Sequence, residues 1–427
     1  MNKSIKFILI LVSLIILFLG SKFFFINDIF KIQTKIFEKY PNLQIEFREN
    51  LFKETSVIEN LKNDYNFKFL PDTQFIKLNL KSKKLIFPEE FILNHTNKKK
   101  LGGYKHRFKS FFFDQFNEKI LLTDYLGGTY EFNLNFLTNT QVKEINLNKI
   151  KNNLVTSKVL DTLVEGNYFF VSYIGGDKSC ETMNVAMSEI KDLSEFEFRN
   201  IFSSDECGDY IQAGRMVLNK KDDENSLLFS TTNQTPDKIT DRPQKDDSIF
   251  GKIISLNLND FSYSIYSKGH RNIQGLYSDK DVILATEHGP RGGDEINNIS
   301  KGKNYGWPLA SYGERYSGNK DKNVYLKNHK KNGFQEPIYA FVPSIGISEI
   351  IRLSNNFTNK FEDNYILTSL YGRNIFRIKF DEEYDKIIFI EKIYIGNRIR
   401  DIKFIEEIKS IIFAFEEEGE IGVLSVN

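Results

Sequence analysis

Residues Lys119–Leu134 have the sequence KILLTDYLGGTYEFNL, in which two apolar runs flank a Gly-Gly pair. Glycine adopts the positive φ angles of tight hairpin turns, so this segment predicts a β-hairpin. Asn364–Phe380, NYILTSLYGRNIFRIKF, repeats the pattern around Gly-Arg-Asn. Similar short apolar runs occur at Asn167–Ile174, Asn225–Thr232, Gly251–Leu258, Val282–Glu287 and Ile411–Phe415. Because no segment after residue 30 has a long helical period, we expect an all-β fold, either a propeller or stacked sandwich domains.

The composition narrows the function classes. The chain has 427 residues, with 58 Lys and Arg against 57 Asp and Glu, and hence a formal net charge of +1. A nucleic-acid-binding protein would need a strong basic excess, so no nucleic-acid partner is expected. The hydrophobic fraction of 41% is too high for a disordered chain, and the aromatic fraction of 14% favours strands. The composition therefore predicts a β-rich scaffold with an uncharged partner.

The N-terminus carries the signals of export. Lys3 and Lys6 precede a largely apolar stretch, Phe7–Ile26, that is long enough to span a bilayer. No small-x-small cleavage pattern is evident around Leu17–Lys22. We therefore expect residues 1–26 to be a signal-anchor, an uncleaved transmembrane helix, rather than a cleaved peptide. Because the lysines precede the span, the body is expected to be membrane-anchored on the periplasmic or extracytoplasmic side.

The chain contains two cysteines, Cys180 and Cys207. In an oxidising compartment, a disulfide between them is favoured over two free thiols. Neither cysteine has a partner at metal-ligand spacing, so the sequence gives them no metal-binding role.

Three further segments concentrate polar side chains between Gly- and Pro-rich turns. Gly269–Leu276 (GHRNIQGL) is followed by Ala285–Glu295 (ATEHGPRGGDE) and by Gly302–Pro308 (GKNYGWP). Rigid β scaffolds build their sites from such polar turns. Arg271 is suited to bidentate recognition of a planar carboxylate. The carbonyl oxygens of Gly289–Pro290 are suited to a hard cation such as calcium.

These segments closely resemble the glucose/sorbosone dehydrogenase family of quinoproteins. The resemblance implies a six-bladed β-propeller over about residues 110–427, with residues 27–109 as a divergent lead-in that we expect to join the first blade. It also implies pyrroloquinoline quinone (PQQ) and calcium as cofactors. The substrate would be an aldose or another carbohydrate, oxidised at the anomeric carbon by hydride transfer to the quinone. Further matching segments are Ala213–Leu218 (AGRMVL), Phe250–Leu256 (FGKIISL), Val342–Ile345 (VPSI) and Asn397–Ile402 (NRIRDI).

The resemblance assigns site residues by motif position. Arg271 and Asn272 resemble the pair that contacts the quinone, and His288 stands where the glucose dehydrogenases have Gln. The carbonyls of Gly289 and Pro290 resemble ligands of the cofactor-linked calcium, which acts as a Lewis acid. Glu295 and Tyr305 stand where the family has ligands of a second, structural calcium. Arg398 and Arg400 resemble the arginine pair that closes the cofactor site.

Several positions depart from the family pattern. The family's general base is a His four residues before the Arg of its GRLV motif. Here that arginine is Arg215, so the base position is Ile211. Isoleucine cannot accept a proton, and loss of a positioned base typically costs about 10²–10⁴-fold in rate. The Asp that orients the base in the family corresponds to Asn233. The Lys that binds the cofactor in some members corresponds to Tyr371. The family's Gly-Leu-Leu blade, which supplies another polar contact, is reduced here to Val159–Val164.

Three functions remain open from the sequence. The first is an active PQQ sugar dehydrogenase that uses another base, either His288 or a residue of a rearranged loop. The second is a non-catalytic, membrane-anchored propeller that binds calcium and a sugar or protein partner. The third is a purely structural or interaction propeller on the membrane surface. The Glu416–Glu418 run is interpreted as a solvated face, and His329, which lacks ligand spacing, is given no role.

Overall fold

The apolar runs of the sequence form β-strands that pair antiparallel with their sequence neighbours in six sheets. The structure, a computed structural model, describes residues 80–86, 111–139, 145–177, 179–208, 210–222, 225–232, 240–315, 324–358, 361, 363–416 and 420–426. These residues belong to one folding unit, made of residues 52–98 and 106–427. The predicted anchor, residues 1–26, lies outside the described ranges. Within those ranges, no helix is long and apolar enough to cross a membrane.

Each sheet is one blade of a propeller. The first strand, β1 (Leu80–Ile86), is followed by the strands of blades 1 and 2. Blade 1 contains β2 (Phe111–Phe116), β3 (Lys119–Asp124), β4 (Thr129–Asn133) and β5 (Asn148–Asn152), with a short helix, α1 (Asn135–Thr138), after β4. Blade 2 contains β6 (Lys158–Glu165), β7 (Tyr168–Asp177), β8 (Cys180–Glu189) and, after β9 (Glu195–Phe196), β10 (Arg199–Ser203). Strand β9 pairs parallel with β5 and so links blades 1 and 2.

The other four blades follow in sequence order. Blade 3 contains β11 (Met216–Leu218), β12 (Ser226–Ser230), β13 (Lys252–Asn257) and β14 (Tyr263–Lys268), with a 3₁₀ turn at Arg242–Gln244. Blade 4 contains β15 (Ile273–Ser278), β16 (Ile283–Glu287), β17 (Asp294–Asn298) and, after a 3₁₀ turn at Lys330–Asn332, β18 (Tyr339–Phe341). Blade 5 contains β19 (Ile347–Arg352), β20 (Tyr365–Ser369), β21 (Asn374–Phe380) and β22 (Ile387–Tyr394). Blade 6 contains β23 (Ile399–Ile405), β24 (Ser410–Phe415), β25 (Glu420–Val426) and β1.

The first strands of the six blades form a closed ring. In the order β2, β6, β11, β15, β19 and β23, each of these strands contacts the next, and β23 contacts β2. This ring defines the axis of the molecule and the inner strand of each blade. The six-bladed propeller that the family resemblance implied is therefore confirmed, and the sandwich alternative is wrong.

Strand β1 is the outer strand of the last blade. Strand β1 pairs antiparallel with β25, with Leu80 opposite Val426 and Ile86 opposite Glu420. Because β1 precedes the first blade and hydrogen-bonds in the last, it covers an edge that blade 6 would otherwise expose. The sequence analysis expected the lead-in to join the first blade, whereas its described strand lies in the last.

An apolar layer fills each space between neighbouring blades. Leu121 packs toward blade 2, while the next residue, Leu122, packs toward blade 6. Six such clusters occur, one between each adjacent pair of blades. A strand with both faces buried has a continuous apolar run rather than an alternating pattern. This explains why the sequence contains runs such as Ile120–Leu122.

The two cysteines form a disulfide in blade 2. Cys180 is the first residue of β8, and its Cα lies 4.9 Å from the Cα of Cys207. The residues that follow the two cysteines are also hydrogen-bonded to each other, since Gly208 N donates to Glu181 O at 2.8 Å. The disulfide that the sequence favoured is therefore present.

Candidate functional site

Buried charges lie where the inner strands meet. Arg215 precedes β11, and its Nη1 lies 2.8 Å from Asp161 Oδ1, 3.0 Å from Glu349 Oε2 and 3.4 Å from Asp401 Oδ1. The three carboxylates come from β6, β19 and β23, so one guanidinium joins four blades. Burial raises the pKa of Asp161 to about 7, although Arg215 opposes the shift. The Arg of the family motif therefore has a structural role at the axis.

A second buried cation extends this cluster toward blade 1. Lys403 Nζ lies 3.4 Å from Asp114 Oδ1. Burial lowers the pKa of Lys403, but Asp114 and Asp401 outweigh it and raise the pKa above its ordinary value. Asp114 also accepts a hydrogen bond from Thr162 Oγ1 at 2.5 Å. Each carboxylate thus has a donor or a cation beside it, as buried charges require.

The motif segments of blade 4 surround a first cavity. Five residues predicted from the sequence line it together: Arg271, His288, Gly289, Glu295 and Tyr305. Arg271 Nη1 donates to His288 O at 2.8 Å, and its guanidinium lies over the ring of Trp307, 5.3 Å from the centroid. These contacts orient a cation in the cavity wall, where it can meet an anionic ligand.

His288 is a half-buried, neutral imidazole at this cavity. Its Nε2 donates to Ile347 O at 2.5 Å, which fixes the proton on Nε2. Burial lowers the pKa of His288, and the positive charges of Arg400 and Arg271 lower it further against the opposing effect of Asp294. In the described part of the chain, Nδ1 makes no hydrogen bond. Nδ1 is therefore the ring atom that can accept a proton.

Asp294 organises the loops around the cavity. Its Oδ1 accepts hydrogen bonds from Gly289 N at 3.0 Å and from Ser344 Oγ at 2.8 Å, and its Oδ2 accepts three from the backbone of residues 345–347. A methyl group at Gly289 would collide with the carbonyl oxygens of residues 292 and 293, so only glycine fits there. The next residue, Pro290, is buried, with its ring beside Gly313.

Two carboxylates face each other behind this loop. Glu287 of β16 and Glu295 of β17 are directly paired across the sheet, an arrangement that is unfavourable for like charges. Burial raises the pKa of Glu295 well above its ordinary value, and the charge of Glu287 adds to this effect. His329, which the sequence analysis set aside, is buried with Nε2 3.8 Å from Glu295 Oε1. Burial lowers the pKa of His329 to about 4, so it adds no positive charge at neutral pH.

Tyr305 and Asn272 have largely structural hydrogen bonds. The Tyr305 hydroxyl donates to Asn298 O at 2.6 Å and accepts from Ser300 N at 3.0 Å, so it is not a free metal ligand. Asn272 N donates to Glu287 Oε1 at 3.3 Å. Its Oδ1 accepts a hydrogen bond of 2.8 Å from Gln274 Nε2.

A second cavity lies near the axis, lined by residues of blades 1, 2, 3, 4 and 6. Its polar lining includes Lys158, Gln212, Gln274 and Arg400. Arg400 Nη1 donates to Gln274 Oε1 at 2.6 Å. Gln274 Nε2 also donates to Asn272 Oδ1, so this glutamine links Arg400 to a predicted site residue. Gln274 was not predicted from the sequence, although it lies two residues after Asn272 and so on the same face of the strand.

Both predicted arginines bind one carboxylate. Glu416 Oε1 lies 2.6 Å from Arg400 Nη2, and its Oε2 lies 2.8 Å from Arg398 Nη2. Burial alone would raise the pKa of Glu416, but Arg400 and Arg398 lower it to about 2. The interpretation of Glu416 as part of a solvated face is therefore wrong, because the side chain is buried between two guanidinium groups.

The positions that depart from the family pattern have different environments. Ile211 is 2% exposed and packs in the apolar layer between blades 2 and 3. Tyr371 is half exposed in the turn after β20. Val159–Val164 is the middle of β6, where Asp161 binds Arg215. Asn233 lies outside the described residues.

Comparison with known proteins agrees with the architecture. The sequence profile of the family described as Glucose / Sorbosone dehydrogenase matches residues 154–423. An uncharacterised protein of Synechocystis is 35% identical over 182 residues, which cover 39% of this chain and 43% of that protein. Aldose sugar dehydrogenase YliI of Escherichia coli is 32% identical over 161 residues, which cover 37% of this chain and 42% of that protein.

The solved structures show the same fold. The apo-form of the soluble aldose sugar dehydrogenase from Escherichia coli aligns with a TM-score of 0.63 and 21% identity, covering 81% of this chain and 99% of that chain. The matched sequence segments span less than half the length of the curated relatives. The family profile nevertheless covers blades 2 to 5 and most of blade 6. The chain belongs to the glucose/sorbosone dehydrogenase family.

Proposed function

We propose that this protein binds PQQ and calcium at the axial site and oxidises an aldose sugar at its anomeric carbon. The observation that carries the proposal is the convergence of Arg271, His288, Gly289, Glu295 and Tyr305 on one cavity, beside Arg400. Two relatives support the substrate class and the cofactor: the aldose sugar dehydrogenase of Escherichia coli, and the quinoprotein glucose dehydrogenase B of Acinetobacter calcoaceticus, which is 34% identical over 144 residues, 29% of each chain.

The residues present fit an acidic cofactor. PQQ is a tricarboxylic acid, and carboxylates bind best to guanidinium and ammonium groups. Arg271 lies in the wall of the first cavity, and Arg400 lies in the wall of the second. Arg400 Nε is buried and has no hydrogen-bond partner in the structure, so it can still donate. Arg271, Arg398 and Arg400 would therefore hold the cofactor's carboxylates.

Calcium fits the negative charge at blade 4. A cation beside Glu295 would relieve the repulsion from Glu287 across the sheet. No group of three or more His, Cys, Asp or Glu side chains within the described ranges is placed to hold a metal. The proposed calcium would therefore depend on the carbonyl oxygens of Gly289 and Pro290, with Glu295 as the charged ligand nearby.

The oxidation must separate a hydride from a proton. When bound, PQQ supplies the acceptor for the hydride that leaves the anomeric carbon, and the sugar becomes a lactone. The protein must accept the proton of the anomeric hydroxyl. Ile211 cannot accept it, whereas His288 is neutral and its Nδ1 is free to accept. We assign His288 as the candidate base because it lines the same cavity as Arg271.

A second candidate is a binding protein without turnover. The specific observation in its favour is that Ile211 is packed in the core, so its segment offers no proton acceptor to the site. In this case the propeller would bind calcium and a carbohydrate or protein partner. The N-terminal anchor and the extracytoplasmic location remain predictions from the sequence, and the disulfide supports an oxidising compartment.

The deciding experiment reconstitutes the purified full-length chain with PQQ and calcium. PQQ binding is followed by the fluorescence of Trp307, the single tryptophan, and turnover by aldose-dependent dye reduction. Binding with turnover supports the dehydrogenase, and binding without turnover supports the second candidate. A chain that binds no PQQ in the presence of calcium refutes the oxidoreductase proposal.

Two variants locate the base. His288→Gln restores the family residue and is expected to lower turnover about 10²-fold or more if His288 accepts the proton. Unchanged turnover would exclude His288. Ile211→His places a base at the family position, and increased turnover would show that this position faces the reacting hydroxyl.

A further inference from the structure

Lys158 is an unused cation in the second cavity. It is the first residue of β6, on the inner ring, and it lines the cavity together with Arg400 and Gln274. Its backbone N donates to Thr156 Oγ1 at 2.9 Å, which fixes the start of the strand. Across the described ranges, no hydrogen bond or ion pair reaches its ammonium group. A lysine in a cavity wall therefore has its donors available.

The environment of Lys158 is electrostatically unfavourable. Burial lowers its pKa to about 8, and the nearby charge of Arg400 contributes to the shift. The carboxylates of Glu416 and Glu181 act in the opposite direction but do not cancel it. Arg400 lines the same cavity, with its Nη1 bonded to Gln274 and its Nη2 bonded to Glu416. Two positive side chains thus lie in one cavity wall, and the Lys158 ammonium has unused donors, an arrangement that an anionic ligand would stabilise.

We propose that Lys158 and Arg400 form an anion site that binds a carboxylate group of the ligand in the second cavity. This proposal rests on the proposed function, in which the ligand is the tricarboxylic acid PQQ. Some family members have a cofactor-binding lysine at the position that is Tyr371 here. In this chain Lys158, in blade 2, would make that cationic contact instead. In this chain Tyr371 lies half exposed in a turn of blade 5 and lines neither of the two cavities.

The charge of Lys158 predicts how the affinity for the ligand changes with pH and with salt. The ammonium form of Lys158 binds the carboxylate, so affinity should fall as the pH rises through about 8. The charged groups that face Lys158 are Arg400, Glu416 and Glu181. The two arginines beside Glu416 lower its pKa to about 2, so this carboxylate stays charged near pH 8. Added salt should weaken binding because the contact is between opposite charges at a partly solvated site.

The first test titrates PQQ into the full-length chain with calcium present, using Trp307 fluorescence. Lys158→Met is expected to raise the Kd about tenfold and to abolish the change of affinity near pH 8, because one charge-assisted hydrogen bond is lost. Lys158→Arg is expected to bind within about threefold of the wild type. Lys149→Met, on an exposed position of β5, is the matched control and should bind as the wild type does.

A second test does not depend on PQQ. Malonate, a small dicarboxylate without a quinone, is added at constant ionic strength while the melting temperature is measured. The site predicts that malonate stabilises the wild type and Lys158→Arg but not Lys158→Met. Failure of PQQ binding with retained malonate stabilisation would overturn the proposed function and support the anion site. If Lys158→Met matches the wild type with both ligands, the anion site is refuted.

Discussion

Replacing Arg215 with methionine tests whether the buried charge cluster holds the inner ring together. The substitution leaves Asp161, Glu349 and Asp401 without the cation that lies 2.8, 3.0 and 3.4 Å from them. Removing one partner of a buried ion pair typically costs about 3–5 kcal/mol, because the remaining charge has no compensation. For a domain of this size, that loss corresponds to a fall in melting temperature of about 5–10 °C.

The loss should depend on pH in a defined direction. Burial raises the pKa of Asp161 to about 7 and also raises that of Glu349. A carboxyl whose pKa is higher in the folded state than in the unfolded state destabilises the fold as the pH rises between the two values. Without Arg215, both folded pKa values rise further. The free energy of unfolding of Arg215→Met should therefore be lower than that of the wild type, and this difference should be larger at pH 8 than at pH 5.

Urea unfolding of both proteins at the two pH values measures this difference. The matched control is Arg352→Met, which also removes an arginine between two carboxylates, at 3.1 Å from Asp279 and 2.6 Å from Asp363. The Arg352 side chain is 34% exposed, so its loss should cost less than about 1 kcal/mol. Equal losses for the two variants, or a loss at Arg215 that does not change with pH, would refute the argument.

Two other substitutions test the arginine pair and the disulfide. Glu416→Gln should lower the free energy of unfolding by about 3 kcal/mol at pH 7, because Arg398 and Arg400 lower the Glu416 pKa to about 2. In urea titrations, the difference in free energy of unfolding between the two proteins should narrow as the pH falls from about 4.5, the ordinary pKa of a glutamate, toward 2. A difference that does not change with pH would contradict this prediction. The double variant Cys180→Ser with Cys207→Ser opens a loop with a sequence separation of 27 and should lose about 3–4 kcal/mol in the chain-entropy model. Calorimetry of the oxidised wild type and the variant measures this loss, and equal melting temperatures would contradict it.

The hairpins of the propeller were predictable because their information is local. The run Ile120–Leu122 and the following Gly-Gly pair lie within one hairpin, and the turn sets the pairing of β3 with β4. The closure of the ring was not predictable in the same way. Strand β1, LKSKKLI, pairs with β25 more than 300 residues later. A lysine-rich strand has no apolar run, and no turn fixes so distant a partner.

The same distinction applies to the site. Arg271, His288, Gly289, Glu295 and Tyr305 belong to neighbouring strands and loops of blade 4, so a sequence motif was sufficient to place them in one cavity. Two of the residues that were not predicted come from other blades. Lys158 lies in blade 2 and Glu416 follows the second strand of blade 6. Their importance depends on contacts across the axis, for which the sequence contains no local signal.

The contacts of the motif residues do not by themselves distinguish a dehydrogenase from a structural propeller. Asp294 holds the backbone of residues 345–347, and His288 donates to Ile347 O, so a purely structural fold would also need them. Lys158 and Arg400 are different, because their adjacency opposes folding through repulsion and an unpaired buried donor. An unsatisfied buried donor typically costs about 1–3 kcal/mol. This adjacency costs the folded protein stability, whereas an anion in the cavity would pair with the Lys158 ammonium. This pair therefore supports the proposal of a ligand-binding propeller over that of a purely structural one.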